Sequence, residues 1–288
     1  MKKKFYKKSE PQSQKKIKKG DKSRKSIYPI ILTAGTLLNL CLILVVIALL
    51  ILIKTADLRN VGVQESNVGF SYFSKRPDLQ SFAKALIVYD LNSKVILLSK
   101  NNNLRFSPAS TVKVMSALVT LENFNPATVL DVNYLKNNAD SSKMGLFLGE
   151  KISVLNLIYG MLLPSGGDAS FVLAQNYPGG EEKFINRMNE KAQELEMLNT
   201  YFTDPAGYND SNYSTASDLV KLGEAALEDP LISEIIKTQD IIVFNESGTI
   251  SHRLKNLNEL LEIDGVNGVK TGFSNEADGV LITSFKNN

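Results

Sequence analysis

Ser110-Thr111-Val112-Lys113-Val114-Met115-Ser116-Ala117-Leu118-Val119 is the stretch on which the reading of this chain turns. Val112, Met115 and Val119 recur at helical spacing, with Leu118 and Leu121 on the next rows, so a helix packed on a core is predicted. Pro108, just before it, suits a helix start. The same spacing sets the Ser110 hydroxyl and the Lys113 amine on one face, a turn apart. A serine hydroxyl is a poor nucleophile until a base removes its proton. Lys113 can be that base only as a neutral amine. Its reference pKa near 10.4 must fall by about 3 units, or about 4 kcal/mol, to work near neutrality. Burial and a second cation both push in that direction.

Two further stretches supply what such a pair needs. Lys270-Thr271-Gly272 lies far downstream, and Lys270 is the candidate second cation. On an edge strand, Lys270 and Thr271 are suited to hold a substrate carboxylate, and Gly272 lets the strand run close to the substrate. Val269 precedes Lys270, so the triplet is not a phosphate-binding loop. The backbone N–H groups of Ser110 and Phe273 are the candidate oxyanion hole, and the start of a helix favours negative charge at Ser110. Ser165-Gly166-Gly167 sits between the two stretches. Ser165 reads either as a second site hydroxyl or as a helix cap, because Asp168 follows at capping-box spacing.

The 288 residues carry a net charge of +3 that hides an asymmetry. Residues 1–27 hold 12 Lys/Arg and 2 Asp/Glu, leaving 21 basic and 28 acidic residues for the rest. Tyr28 to Ile53 follows without a charged residue. As a helix it would span roughly 39 Å, more than a hydrocarbon core of about 30 Å. The lysines therefore read as a topological signal, with the N-terminus cytoplasmic and everything after Lys54 outside. The run is longer than a signal-peptide core and no small-residue cleavage site follows, so an uncleaved anchor is expected rather than a signal peptide or a nucleic-acid-binding arm. The single cysteine, Cys41, lies within this span, so the rest of the chain has neither disulfide nor thiol nucleophile. His252 is the only histidine. It has no partner motif and reads as a surface or strand residue, and two-histidine metal sites are excluded.

Residues 1–27 are thus a basic cytoplasmic tail, 28–53 a transmembrane helix, 54–76 a polar linker and 77–288 the catalytic domain. Within that domain Ala83–Tyr89, a turn at Asp90–Ser93 and Lys94–Leu98 form a hairpin. Helices are predicted over Glu150–Leu163, Ala169–Tyr177, Glu181–Leu198 and Leu219–Leu227, the last after a Thr215/Asp218 capping box. Thr203–Gly207 is a turn, and Ile241–Phe244 and Val280–Ser284 are strands. Strands at both ends with helices between suggest an α+β fold with one sheet built from distant parts of the chain.

From about Lys84 to Leu281 the chain resembles the serine-type D-alanyl-D-alanine carboxypeptidases, the low-molecular-mass penicillin-binding proteins. The resemblance rests on Ser107-Pro-Ala-Ser-Thr-Val-Lys113, Gly145-Leu-Phe-Leu-Gly-Glu150 and Leu157-Ile-Tyr-Gly-Met-Leu-Leu-Pro-Ser-Gly-Gly-Asp-Ala169. It continues through Asn199-Thr-Tyr-Phe-Thr-Asp-Pro-Ala-Gly207, Tyr213-Ser-Thr-Ala-Ser-Asp-Leu219, Asn256-Leu-Asn-Glu-Leu-Leu261 and Asp264-Gly-Val-Asn-Gly-Val-Lys-Thr-Gly272. It implies a β-lactamase/transpeptidase-like helix–sheet–helix sandwich. It also implies that Ser110 is acylated by peptidoglycan stem peptides with loss of the terminal D-alanine, and that β-lactams are covalent inhibitors. Lys113 is then the base, Ser165 a proton relay, and Lys270 with Thr271 the carboxylate clamp. No metal or organic cofactor and no nucleic-acid partner is implied.

Two departures stand out. Gly167 occupies the position where the family usually has asparagine, which removes a polar anchor and raises the alternative of an inactive stem-peptide-binding relative. Asn138, Asn176 or a water is the candidate substitute. Only 16 residues follow Gly272, where the family usually continues with another strand and a helix, so an incomplete sequence is expected. A class A β-lactamase is a further alternative, but its deacylating glutamate would fall on Leu195, between Glu194 and Glu196.

Overall fold

A computed structural model describes residues 39, 42–48, 82–136 and 142–286. The chain divides into two units, Met1–Leu79 and Gln80–Asn288. In the first, residues 42–48 are helical and exposed. The expected Tyr28–Ile53 span lies mostly outside the described residues, as do the basic tail and the 54–76 linker. Among the described residues no helix is long and apolar enough to cross a membrane.

The second unit opens with the expected hairpin, β1 (Leu86–Asp90) against β2 (Val95–Lys100), antiparallel with a bulge at Val88/Tyr89. The Asp90 carboxylate accepts the N–H groups of Asn92 and Ser93, which closes the turn. A single 3-10 turn, Ala109–Thr111, leads into helix α1 (Val112–Asn123). Every residue from Val112 to Thr120 is buried, so α1 is the central helix of the unit rather than a helix with one apolar face. Its polar residues therefore need internal partners. The Ser116 hydroxyl donates to the Pro205 carbonyl at 2.7 Å, and the Thr120 hydroxyl to the Ser116 carbonyl at 2.7 Å.

The expected helix over Glu150–Leu163 is instead a short strand and a helix. β4 (Lys151–Ser153) pairs with β3 (Val129–Asp131), and α2 (Val154–Leu162) begins where the Ser153 hydroxyl accepts the Asn156 N–H. Helices α3 (Gly167–Asn176) and α4 (Gly180–Glu194) follow. α4 stops before the expected Leu198 because Glu196 takes a left-handed φ of 56°. α5 (Ala216–Glu228) starts at Thr215, whose hydroxyl accepts the Asp218 N–H as its spacing implied. α6 (Pro230–Ile235) precedes β5 (Asp240–Phe244), which pairs with β6 (Ser251–Lys255). Last come β7 (Val266–Ser274) and β8 (Asp278–Phe285).

The core gathers α1, α2, α3 and α4 through Met115, Val119, Leu157, Met161, Leu173, Phe184 and Met188. The single sheet expected from the sequence is not what the backbone pairing shows. The described strands form four separate two-stranded ladders, and none joins β1 to β8. α5 packs on both β1 and β8. A Cβ on Gly223 of α5 would stand 2.9 Å from the Ile282 side chain on β8.

Candidate active site

Ser110 lies within the 3-10 turn, one step after Ala109, which holds a left-handed φ of 45°. A non-glycine residue in that region costs on the order of 1–3 kcal/mol and persists only where its surroundings enforce it. Two glycines enforce it here. A Cβ on Gly207 would stand 1.9 Å from the Ala109 carbonyl oxygen, and one on Gly272 would stand 3.0 Å from the Ser110 nitrogen. The glycine of Lys-Thr-Gly thus brings β7 against the backbone that carries the hydroxyl.

Lys113 is fully buried on the first turn of α1. Its Nζ donates to Ser110 Oγ at 3.0 Å and to the Ala206 carbonyl at 2.6 Å. Burial is the main force holding its pKa well below that of an ordinary lysine, and the charge of Lys270 adds to it. The carboxylates of Asp204 and Asp168 oppose the shift. Lys270, on β7, is 2% exposed, and burial pushes its pKa down to about 7. Its Nζ donates to the Thr271 carbonyl at 2.9 Å. Phe273 follows Gly272 on the same strand with an exposed side chain. Ser110, Lys113, Lys270, Thr271, Gly272 and Phe273 are thus assembled by one turn, one helix and one strand.

Ser165 departs from its capping reading. The N-cap of α3 is Gly166, and no side chain caps that end. Asp168 turns away to accept the N–H groups of Met144, Gly145 and Leu146, at 2.8, 2.8 and 3.2 Å. Ser165 is held at φ 63°, and its buried hydroxyl has no hydrogen-bond partner among the described residues. Gly166 is required where it stands, because a Cβ there would approach the Gly160 carbonyl to 2.6 Å and the Met144 nitrogen to 2.8 Å.

The turn at 203–207 belongs to the site, which sequence reasoning missed. The Asp204 carboxylate accepts the N–H groups of Ala206, Gly207, Tyr208 and Asn209 and the Asn212 amide. This fixes the loop that offers its carbonyls to Lys113 and Ser116. The only signal was an aspartate opening an Asp-Pro-x-Gly turn. Tyr208 on the same loop lies with its ring centroid 5.0 Å from Lys113 Nζ. Of the candidates to replace an asparagine at 167, Asn138 lies outside the described residues. Asn176 is occupied at the far end of α3, donating to the Asp131 and Val172 carbonyls.

His252 is a strand residue, on β6, but a buried rather than a surface one, and its Nε2 lies 2.7 Å from Glu150 Oε1. Glu194, beside the Leu195 position of the β-lactamase reading, is paired with Arg187 on an exposed face of α4. Among the described residues no three His, Cys, Asp or Glu side chains gather as a metal site.

Comparison with known proteins agrees with this geometry. Residues 72–288 match the peptidase S11 family, D-alanyl-D-alanine carboxypeptidase. The D-alanyl-D-alanine carboxypeptidase DacF of Bacillus subtilis is 30% identical over 238 residues, 78% of this chain and 61% of that protein. The D-alanyl-D-alanine endopeptidase of Pseudomonas aeruginosa is 34% identical over 202 residues, 68% of this chain and 64% of that protein. The chain therefore spans about three fifths of the length of these relatives. The crystal structure of the Streptomyces K15 DD-transpeptidase superposes with a TM-score of 0.63 at 32% identity, covering 68% of this chain and 81% of that one. With an α+β transpeptidase-like fold, a buried lysine against a serine hydroxyl and a family match over most of its length, the chain belongs to the D-alanyl-D-alanine carboxypeptidase family.

Proposed function

We propose that the protein is a serine D-Ala-D-Ala carboxypeptidase that trims peptidoglycan stem peptides through an acyl-enzyme on Ser110. The observation that carries this reading is the fully buried Lys113 amine 3.0 Å from Ser110 Oγ. In its neutral form the amine has a lone pair to accept the hydroxyl proton. Ser110 Oγ then attacks the carbonyl carbon of the penultimate D-alanine. The N–H groups of Ser110 and Phe273 hold the oxyanion. The C–N bond breaks, and the proton held by Lys113 passes through Ser165 to the departing amine of the terminal D-alanine. A buried hydroxyl without a hydrogen-bond partner among the described residues suits that relay. Lys270 and Thr271 hold the terminal carboxylate. Water next attacks the ester, gives its proton back through Lys113, and frees Ser110 and the shortened stem.

The reading extends to the whole chain. Residues 1–27 are a basic cytoplasmic tail, 28–53 a single-pass membrane anchor and 54–76 a tether. Residues 77–288 are the catalytic unit on the outer side of a bacterial cell membrane. What supports this is the charge-free run of Tyr28–Ile53 behind a lysine-rich tail.

The test is intact-mass analysis of the full chain after exposure to penicillin, beside D-alanine release from a peptide ending in D-alanyl-D-alanine. One covalent adduct is expected, with turnover, and Ser110→Ala should remove both. An adduct without D-alanine release would favour a stem-peptide-binding relative, the alternative that Gly167 raises. Rapid penicillin hydrolysis would favour a β-lactamase, and the absence of both adduct and release would overturn the acyl-enzyme reading.

A further inference from the structure

Gly167 leaves a volume open beside the site, and Tyr208 fills it. A Cβ at position 167 would stand 1.6 Å from the Tyr208 hydroxyl and 2.3 Å from its Cζ. Glycine is therefore the residue at 167 that admits the tyrosine in this position. Backbone and side-chain contacts together hold this residue. Its backbone N–H is taken by Asp204, its ring packs on Phe171 of α3 at 5.9 Å between centroids, and its hydroxyl donates to the Ser142 carbonyl at 3.3 Å. The same carbonyl accepts the Gly167 N–H at 2.9 Å, so glycine and tyrosine share one anchor. The face of the ring lies over Lys113 Nζ.

Resting on the acyl-enzyme reading above, we infer that Tyr208 is a positioning residue of this site, walling Lys113 from the volume that Gly167 leaves open and presenting its ring face to the ammonium formed when Lys113 takes the Ser110 proton. Two effects follow from the one placement. The ring keeps water from the resting amine, whose burial is the main cause of its lowered pKa. Once the proton arrives, the negative face of the ring attracts the new cation, and more strongly in a desolvated site than in water. An interaction that strengthens as charge develops lowers the barrier rather than the ground state. The other charged groups acting on Lys113 are Lys270 from β7, Asp204 from the tyrosine's own loop and Asp168 from α3. All three remain when Tyr208 is changed. Gly167 and Tyr208 therefore act as one exchangeable unit, and a side chain introduced at 167 displaces the ring.

The experiment measures penicillin acylation of Ser110 against pH in the full chain, for Tyr208→Ala, Tyr208→Phe, Gly167→Ala and the Gly167→Ala/Tyr208→Ala double variant. A second readout is NMR titration of Lys113 in the same proteins labelled with 13C-lysine. Tyr208→Ala is expected to slow acylation about tenfold or more. Opening the amine to water raises its pKa and losing the ring face lowers it; because burial is the main influence on Lys113, the acid limb of the rate profile and the NMR titration should still move up together. Tyr208→Phe keeps the ring and should recover most of both. Gly167→Ala pushes only the far end of a side chain, so the protein should fold while slowing as Tyr208→Ala does. In the double variant the alanine at 167 should add no further loss. Multiplying penalties, or a Tyr208→Ala protein with unchanged rate and titration, would overturn the inference. Should the parent protein fail to acylate, the acyl-enzyme reading falls, and the titration alone decides whether Tyr208 walls Lys113.

Discussion

Lys270 is where function and stability oppose each other in a single side chain. A lysine that is 2% exposed and held at a pKa of about 7 carries its charge at a cost, and that cost acts on folding as well as on chemistry. Below pH 7 the group is protonated in both folded and unfolded chains, so the full penalty is present. Between about 7 and the ordinary value of 10.5 the unfolded chain binds the extra proton, so stability rises with pH across that window. The whole drop corresponds to at most about 5 kcal/mol. Lys113 is depressed by the same burial and contributes with the same sign. The unfolding free energy from denaturant titration should therefore climb between pH 7 and pH 10. Lys270→Met should be more stable than the parent at pH 7, on the order of 2 kcal/mol, should flatten part of that climb, and should lose penicillin acylation and D-alanine release. A Lys270→Met protein no more stable than its parent at pH 7 would show that this ammonium is paid for by contacts other than those described above.

The loop from Asp204 to Asn209 shows why part of the site was legible in the sequence and part was not. The Ser110/Lys113 spacing was readable because both groups act through their side chains and because Ser165-Gly166-Gly167 and Lys270-Thr271-Gly272 follow it in order. The 204–209 loop acts through the carbonyls of Pro205 and Ala206, and every residue type carries a carbonyl, so the stretch read only as a turn. Tyr208 was missed because its place depends on the absence of a side chain 41 positions earlier, at Gly167, which spacing along the chain does not reveal. Ser165 and Asp168 have capping-box spacing, yet the aspartate serves the 144–146 backbone and the cap never forms. The three-residue strands β3 and β4 are too short to show alternation, so β4 was absorbed into the helix it precedes. Gly207 is the residue on which the loop's fit depends. It holds φ 78°, and any Cβ there meets the backbone of the turn that carries Ser110 rather than a side chain able to move. Gly207→Ala should cost on the order of 1–3 kcal/mol in thermal or denaturant unfolding. The folded protein should acylate at least tenfold more slowly, because Ala109 and Ser110 must shift to make room. Acylation at the parent rate would mean that the turn tolerates displacement and that its left-handed Ala109 is incidental.

The hairpin of β5 and β6 is fastened to the helical layer by Val243 and Leu254 in the shared core and by a set of polar contacts. The Phe244 carbonyl accepts from the Asn156 amide of α2, and the Glu246 N–H donates to the Lys151 carbonyl of β4. At the centre, His252 Nε2 and Glu150 Oε1 stand 2.7 Å apart with both side chains buried. Glu150 Oε2 accepts the Phe147 N–H, so one carboxylate closes the 147–150 turn and ties it to the sheet. Removing one member of a buried hydrogen-bonded pair leaves the other unsatisfied, at about 1–3 kcal/mol. His252→Ala should therefore lower the denaturant midpoint sharply with an unchanged slope, since the same surface is exposed on unfolding. Glu150→Gln keeps an acceptor for the Phe147 N–H and a hydrogen-bonding group for the imidazole, and should lose less. A lone histidine in a chain of hydrolase kinship invites a catalytic role, but the fastening role makes the opposite forecast for chemistry. At a temperature where His252→Ala remains folded, its Ser110 should acylate with penicillin within about threefold of the parent rate, because Lys113, Lys270 and the 204–209 loop are untouched. A folded His252→Ala protein with acylation abolished would return His252 to the reaction and break the separation between what holds the two layers together and what activates the serine.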